Sequence, residues 1–159
     1  MPATYEKIAT TTLGSAGTIT FSSIAASWTD LRLVLTGSPS SSGNQIMTFN
    51  SDTTTIYSNT SINGSGTTAT SARATGDNAI SQSYMYSGSN ISLLTYDIFS
   101  YAGSTFKTVL ITGSTDQNGS GLVRYSVGLW RSTSAITSID LGRTMSVGTT
   151  ATLYGILKA

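Results

Sequence analysis

Apolar side chains recur at every second position along most of this chain, and no window carries a sustained stripe at the helical period. In DLRLVLTG (30–37), Leu31, Leu33 and Leu35 share one face, and Arg32, Val34 and Thr36 take the other. GTITFSSI sets Ile19 and Phe21 against Thr18, Thr20 and Ser22, and QIMTFNS sets Gln45, Met47 and Phe49 against Ile46 and Thr48. LLTYDIFSYAG, FKTVLITG, LVRYSVGLWR, AITSIDL and TATLYGILK follow the same rule. A two-residue period places alternate side chains on opposite faces of a pleated strand, so each run is a predicted strand. The core expected from this pattern includes Leu33, Leu35, Phe49, Ile98, Val109, Ile111, Val127, Leu129 and Leu153, with Ile56 and Ile62 also facing inward.

Turn signals separate the runs. GSAG (14–17), GSPSSSGN (37–44), NGSG (63–66), GSTDQNGSG (113–121) and SVGTT (146–150) are the clearest. Asn63-Gly64 and Asn118-Gly119 are dipeptides that suit the positive φ angles of type I′ hairpin turns. Both prolines, Pro2 and Pro39, fall outside the predicted strands, where a missing N–H does no harm. About eight to ten strands in one chain of this length predict an all-β, antiparallel two-sheet sandwich, jelly-roll-like in its connections. The expected organisation is a single domain over residues 1–159, with a short N-terminal arm (1–7) and an irregular excursion around 64–90. That excursion reads either as an elaborated hairpin or as a long surface loop.

Composition decides which chemistry such a scaffold can carry. Charged residues make up 9% of the chain and the net charge is +1, against about 25% charged in an ordinary soluble domain. Serine and threonine supply roughly a third of the residues instead. There is no cysteine and no histidine. Disulfides and cysteine-ligated metals are excluded, and the usual general base and commonest metal ligand are missing. Glu6 is the sole glutamate and the six aspartates are scattered, so no spacing favours a carboxylate pair of the glycosidase kind. Asp30 and Arg32, two apart on one strand face, read as an ion pair. Asp116, Asn118 and Ser120 have the early spacing of a calcium loop, but Val127 stands where the bidentate glutamate belongs. Eight basic residues spread along the chain give no nucleic-acid footprint. The Asn-x-Ser sites at Asn59, Asn63, Asn90 and Asn118 read as chance products of a serine-rich sequence. The opening residues lack a basic segment followed by an apolar run, and no apolar stretch reaches membrane-spanning length. The expectation is no enzyme, no cofactor, no metal, no nucleic acid and no membrane.

The segments YEKIATTTLGSAGTITFSSI, WTDLRLVLTG, FNSDTTTIYSNT, DIFSYAGSTFKTVLITG, LWRSTSAITSIDL and a terminal TATLYGILK together resemble small structural proteins of tailed bacteriophages, notably cyanophage-like ones. The resemblance runs nearly end to end and is most specific at the LYGI ending. It implies a β-sandwich virion component, made in the host cytoplasm and displayed on the outer surface of the particle. Capsid decoration, cementing the head shell, is the expected role, with the major capsid protein and copies of the chain itself as partners, the latter as a homotrimer. A receptor-binding tip of a tail fibre or spike, facing a host-surface receptor, is the alternative. The resemblance brings no catalytic residues. Candidate protein–protein contacts read from the sequence are Pro2, Tyr5, Lys7, Arg73, Tyr84, Tyr86 and Trp130.

Overall fold

Each alternating run contains a strand. The computed structural model describes residues 5–157, apart from the side chains of Gln82 and Ser83. Every regular element among the described residues is a strand: β1 (Tyr5–Thr12), β2 (Gly17–Phe21), β3 (Asp30–Gly37), β4 (Gly43–Phe49), β5 (Tyr57–Gly64), β6 (Ala69–Asp77), β7 (Ile80–Met85), β8 (Ser92–Phe99), β9 (Lys107–Asp116), β10 (Gly121–Trp130), β11 (Ile139–Met145) and β12 (Thr150–Ile156). They form an eight-stranded sheet in the order β1-β12-β3-β8-β9-β10-β5-β6 and a four-stranded sheet in the order β2-β11-β4-β7. All pairings are antiparallel. The chain therefore shuttles between sheets, pairing its first strand with its last and its second with its second-to-last. The hairpin β5–β6 and the strands β9–β10 extend the larger sheet beyond that nested set.

The two sheets face each other across one hydrophobic core. Leu31, Leu33, Leu35, Tyr96, Ile98, Val109, Ile111 and Leu153 line the larger sheet, and Ile19, Phe21, Met47, Phe49, Ile139 and Leu141 meet them from the smaller one. Seven of the nine expected core residues are buried. Val127 and Leu129 are not: Val127 is exposed and Leu129 only half-buried. The reason is the phase of β10, whose inward residues are Ser126, Gly128 and Trp130. Trp130 fills a large volume, and Gly128 leaves room for Ile80, whose Cδ1 would lie 2.8 Å from any added Cβ. Burial of one indole outweighs exposure of smaller aliphatic groups, and the two-residue period then turns Val127 and Leu129 outward together.

The other expectations divide between those met and those corrected. Ile62 points outward from β5, whereas Ile56 packs against the core. Tyr5, Glu6 and Lys7 are not a free arm but pair with Ile156, Gly155 and Tyr154. The 64–90 excursion holds β6 and β7, and β5–β6 turn through Ser65–Thr68, leaving Asn63-Gly64 inside β5. Asn118-Gly119 does form its turn: φ is +55° and +103°, with Gln117 N–H donating to Ser120 O at 2.6 Å. Arg32 pairs across strands with Asp97 rather than with Asp30, which instead accepts the Ser100 N–H at 2.7 Å.

A candidate protein-binding face

The outward side of the eight-stranded sheet divides into two halves. On β1, β12 and β3 it is a threonine surface. Thr10 lies beside Thr152 and Thr12 beside Thr150 in the ladder, their hydroxyls hydrogen-bonded at 3.2 and 3.0 Å. Cross-strand threonine pairs fit a pleated surface and satisfy each other's polar groups. Along β10 the outward positions turn apolar, flanked by Leu110 on β9 and Ile62 on β5, each set among serines and threonines. Val123, Tyr125 and Val127 follow one another along β10, at 55%, 54% and 42% exposure. The register sets Ile62 of β5 beside Tyr125 and Leu110 of β9 beside Val127, and carries Leu93 of β8 into the row of Val123 through Ser114.

The charge pattern on this side is sparse. Arg32 and Asp97 pair near its centre, and the Asp97 carboxylate holds the Arg32 guanidinium firmly protonated. Arg73 is exposed at the far edge, opposite Thr60. Arg124, whose neighbours on β10 form the apolar row, points to the inner side and donates to Asn63 and to Asn44 Oδ1. Burial lowers its pKa. On β9, β10 and β5, only Asp116 at the hairpin tip brings an ionic group to the outward positions, and it accepts the Asn118 N–H at 2.8 Å. That contact belongs to the turn rather than to a calcium loop. Among the described residues, no group of three or more metal-ligating side chains comes together.

The contact residues expected from sequence are dispersed by this fold. Tyr5 and Lys7 sit on β1 at one edge of the larger sheet, and the Tyr5 ring lies 5.0 Å from that of Tyr154, with the Arg32 guanidinium 5.8 Å from its centroid. Arg73 occupies the opposite edge, on β6. Tyr84, on β7 of the smaller sheet, packs edge-on against Tyr86 just beyond it at 5.0 Å. Trp130 is 2% exposed and cannot meet a partner; it packs against Phe49 and Tyr57. Pro2 lies outside the described residues. Alternation alone puts Val127 and Leu129 in the core and so hides the apolar row on β10; the opposite phase of Trp130 is the signal that reveals it.

The chain matches no protein-family model, no curated protein and no solved structure.

Proposed function

We propose that this chain is a non-enzymatic structural protein of a tailed-bacteriophage virion, a decoration protein that cements the head shell from the outer surface of the particle. Its partners in this reading are the major capsid protein and further copies of itself, with a trimer as the expected assembly. The observation that carries the reading is the broad outward side of the larger sheet, hydroxyl-bearing over most strands with an apolar row along β10, and with few ions to desolvate. Burying such a surface against another protein avoids the penalty that unpaired charges would impose. The nested order β1-β12-β3-β8 over β2-β11-β4-β7 supports a jelly-roll-like reading of the sandwich, in keeping with the resemblance to virion proteins.

Locating the protein in an image of the intact particle tests this directly. Density over the head shell is the expected result. Density confined to the tail tip would replace decoration with receptor binding.

A further inference from the structure

We propose that copies of this chain meet through the outward side of the larger sheet, with the Val123–Tyr125–Val127 row of β10 at the centre of the contact and a second copy of the chain as its occupant. The inference rests on the homo-oligomer part of the function proposed above and is independent of where the protein sits on a particle.

Size is the first argument. Val123, Tyr125, Val127, Ile62, Leu110 and Leu93 are each between 39% and 56% exposed. Together they form a patch of the size, about 300–600 Å², that is the largest on a typical monomer and is often functional. A standard stable interface takes ~800 Å² per partner, so the bordering threonines and serines are buried with the apolar row.

Charge is the second. A surface that meets its own copy places like against like, so any ionic cluster would face its equivalent. Here the outward positions between Asp97 on β8 and Arg73 on β6 are free of ionic side chains except Asp116 at the hairpin tip. A strongly charged partner would find no counter-charges on these strands, whereas a second copy needs none.

Shape is the third. Tyr125 stands between two shallow depressions. One, of about 160 Å³, lies towards Leu93, Thr112 and Ser114. The other, of about 220 Å³, lies towards Ile62 and Ala69. Knob and hole are thus on the same surface, the arrangement that facing sheets need to pack by interdigitating their side chains. A twofold axis beside Tyr125 lays the two rows against each other as an isologous contact, so this face builds a pair, and a trimer needs a second, heterologous surface.

The test uses the full chain. Its mass is measured by light scattering and sedimentation over a wide concentration range, alongside Tyr125→Lys, Val123→Lys and, as a control, Val147→Lys, an exposed residue in the turn between β11 and β12. The wild type and Val147→Lys should form the same oligomer. Either β10 variant should weaken association by about 30-fold or more, as losing a central contact residue does, while keeping a wild-type far-ultraviolet spectrum. Should the variants fail to fold, hydroxyl-radical footprinting of the wild type decides: Tyr125 should become protected as concentration rises, and constant reactivity would contradict the proposal. An oligomer that survives both lysine substitutions would overturn this face but leave self-association intact. A wild-type chain that stays monomeric up to millimolar concentration and on the particle would overturn self-association itself, leaving attachment to the shell to be judged separately.

Discussion

Trp130 donates its indole N–H to Asp52 Oδ2 at 2.9 Å. The bond joins the last residue of β10, in the larger sheet, to the segment that follows β4, in the smaller one. Asp52 also accepts the Thr54 N–H at 2.9 Å and the Thr54 hydroxyl at 2.5 Å. On the other side, Trp130 lies 5.5 Å from Phe49 and stacks on Tyr57 at 6.4 Å between centroids. The sandwich is thereby latched at one end by a buried indole and a turn carboxylate.

Removing the carboxylate should loosen that latch. Asp52→Ala deprives Trp130 Nε1 of its acceptor, a loss of about 1–3 kcal/mol for a buried donor left unpaired, read from denaturant unfolding. The Thr54 hydroxyl, the Thr54 N–H and the Trp130 indole all hold the Asp52 pKa below its ordinary value, the hydroxyl most strongly. A depressed folded pKa means that the unfolded chain takes up the proton first as pH falls. The stability Asp52 contributes is therefore complete above the ordinary aspartate range and is lost on descending through the folded value. Asp52→Asn should flatten that acid limb, and Trp130 emission should follow the transition in the wild type.

Tyr57 makes a prediction at the opposite end of the pH scale. Its buried phenol donates to Asp52 O at 3.0 Å and accepts the Phe49 N–H at 3.1 Å. Burial chiefly, with the Asp52 and Asp140 charges adding, pushes its pKa up to about 12. A raised folded pKa leaves this contribution to stability whole below the unfolded tyrosine value and erodes it as pH climbs through the folded one. In an absorbance titration Tyr57→Phe should remove one phenol's ionisation near 12 from the wild-type curve. A titration curve unchanged by the substitution would contradict the burial of this hydroxyl.

Gly155 should tolerate no side chain. The Trp28 ring lies flat against it, inside the space that a Cβ would occupy. Trp28 has little freedom to retreat, because its N–H donates to Tyr101 OH at 3.2 Å and its indole to Glu6 Oε2 at 3.4 Å. Gly155→Ala should cost about 1–3 kcal/mol through overpacking. Gly142→Ala, where the nearest neighbour is an Ile46 carbon at 3.7 Å, should change stability by no more than about 0.5 kcal/mol. Thermal unfolding of the pair checks both.

Two aliphatic residues that the sequence pattern treats alike should separate sharply. Leu33 is fully buried, and Leu33→Ala should cost about 2–5 kcal/mol in cavity and lost contact. Val127 is exposed on the outer side, so in dilute protein Val127→Ala should stay within about 0.5 kcal/mol. Equal losses at the two positions would mean that β10 runs in the opposite phase.

That contrast shows where the sequence was legible. The two-residue period identified the strands from β2 to β4 and β8 to β12 because alternation is a local property. It also placed Leu33, Phe49 and Ile98 on the correct face. The period fixes which residues share a face but not which face is inner. On β10 the set that looks apolar, Val123, Tyr125, Val127 and Leu129, faces out and the set of Arg124, Ser126, Gly128 and Trp130 faces in; the choice was made by Trp130 and by the fit of Ile80 over Gly128, contacts between residues far apart in the chain. β6 was obscure for a different reason: it lies at a sheet edge with most of its residues exposed, so no buried face imposed alternation on ATSARATGD. The candidate face was invisible for the same reason that Val127 was misplaced. The Arg32–Asp97 pair likewise needed the register of β3 against β8, which no spacing within one strand reveals.

The proposed role as a cement is tested most directly by comparing particles that carry the protein with particles that lack it. Binding to the assembled shell and not to its dissociated subunits stabilises the shell by mass action. Removal should therefore lower the temperature at which heads rupture while host adsorption stays normal, and re-binding of purified protein should restore it with only weak dependence on salt, since few charges are available to screen. Particles that keep their full thermal resistance but fail to adsorb would contradict decoration and assign the chain to the receptor-binding tip.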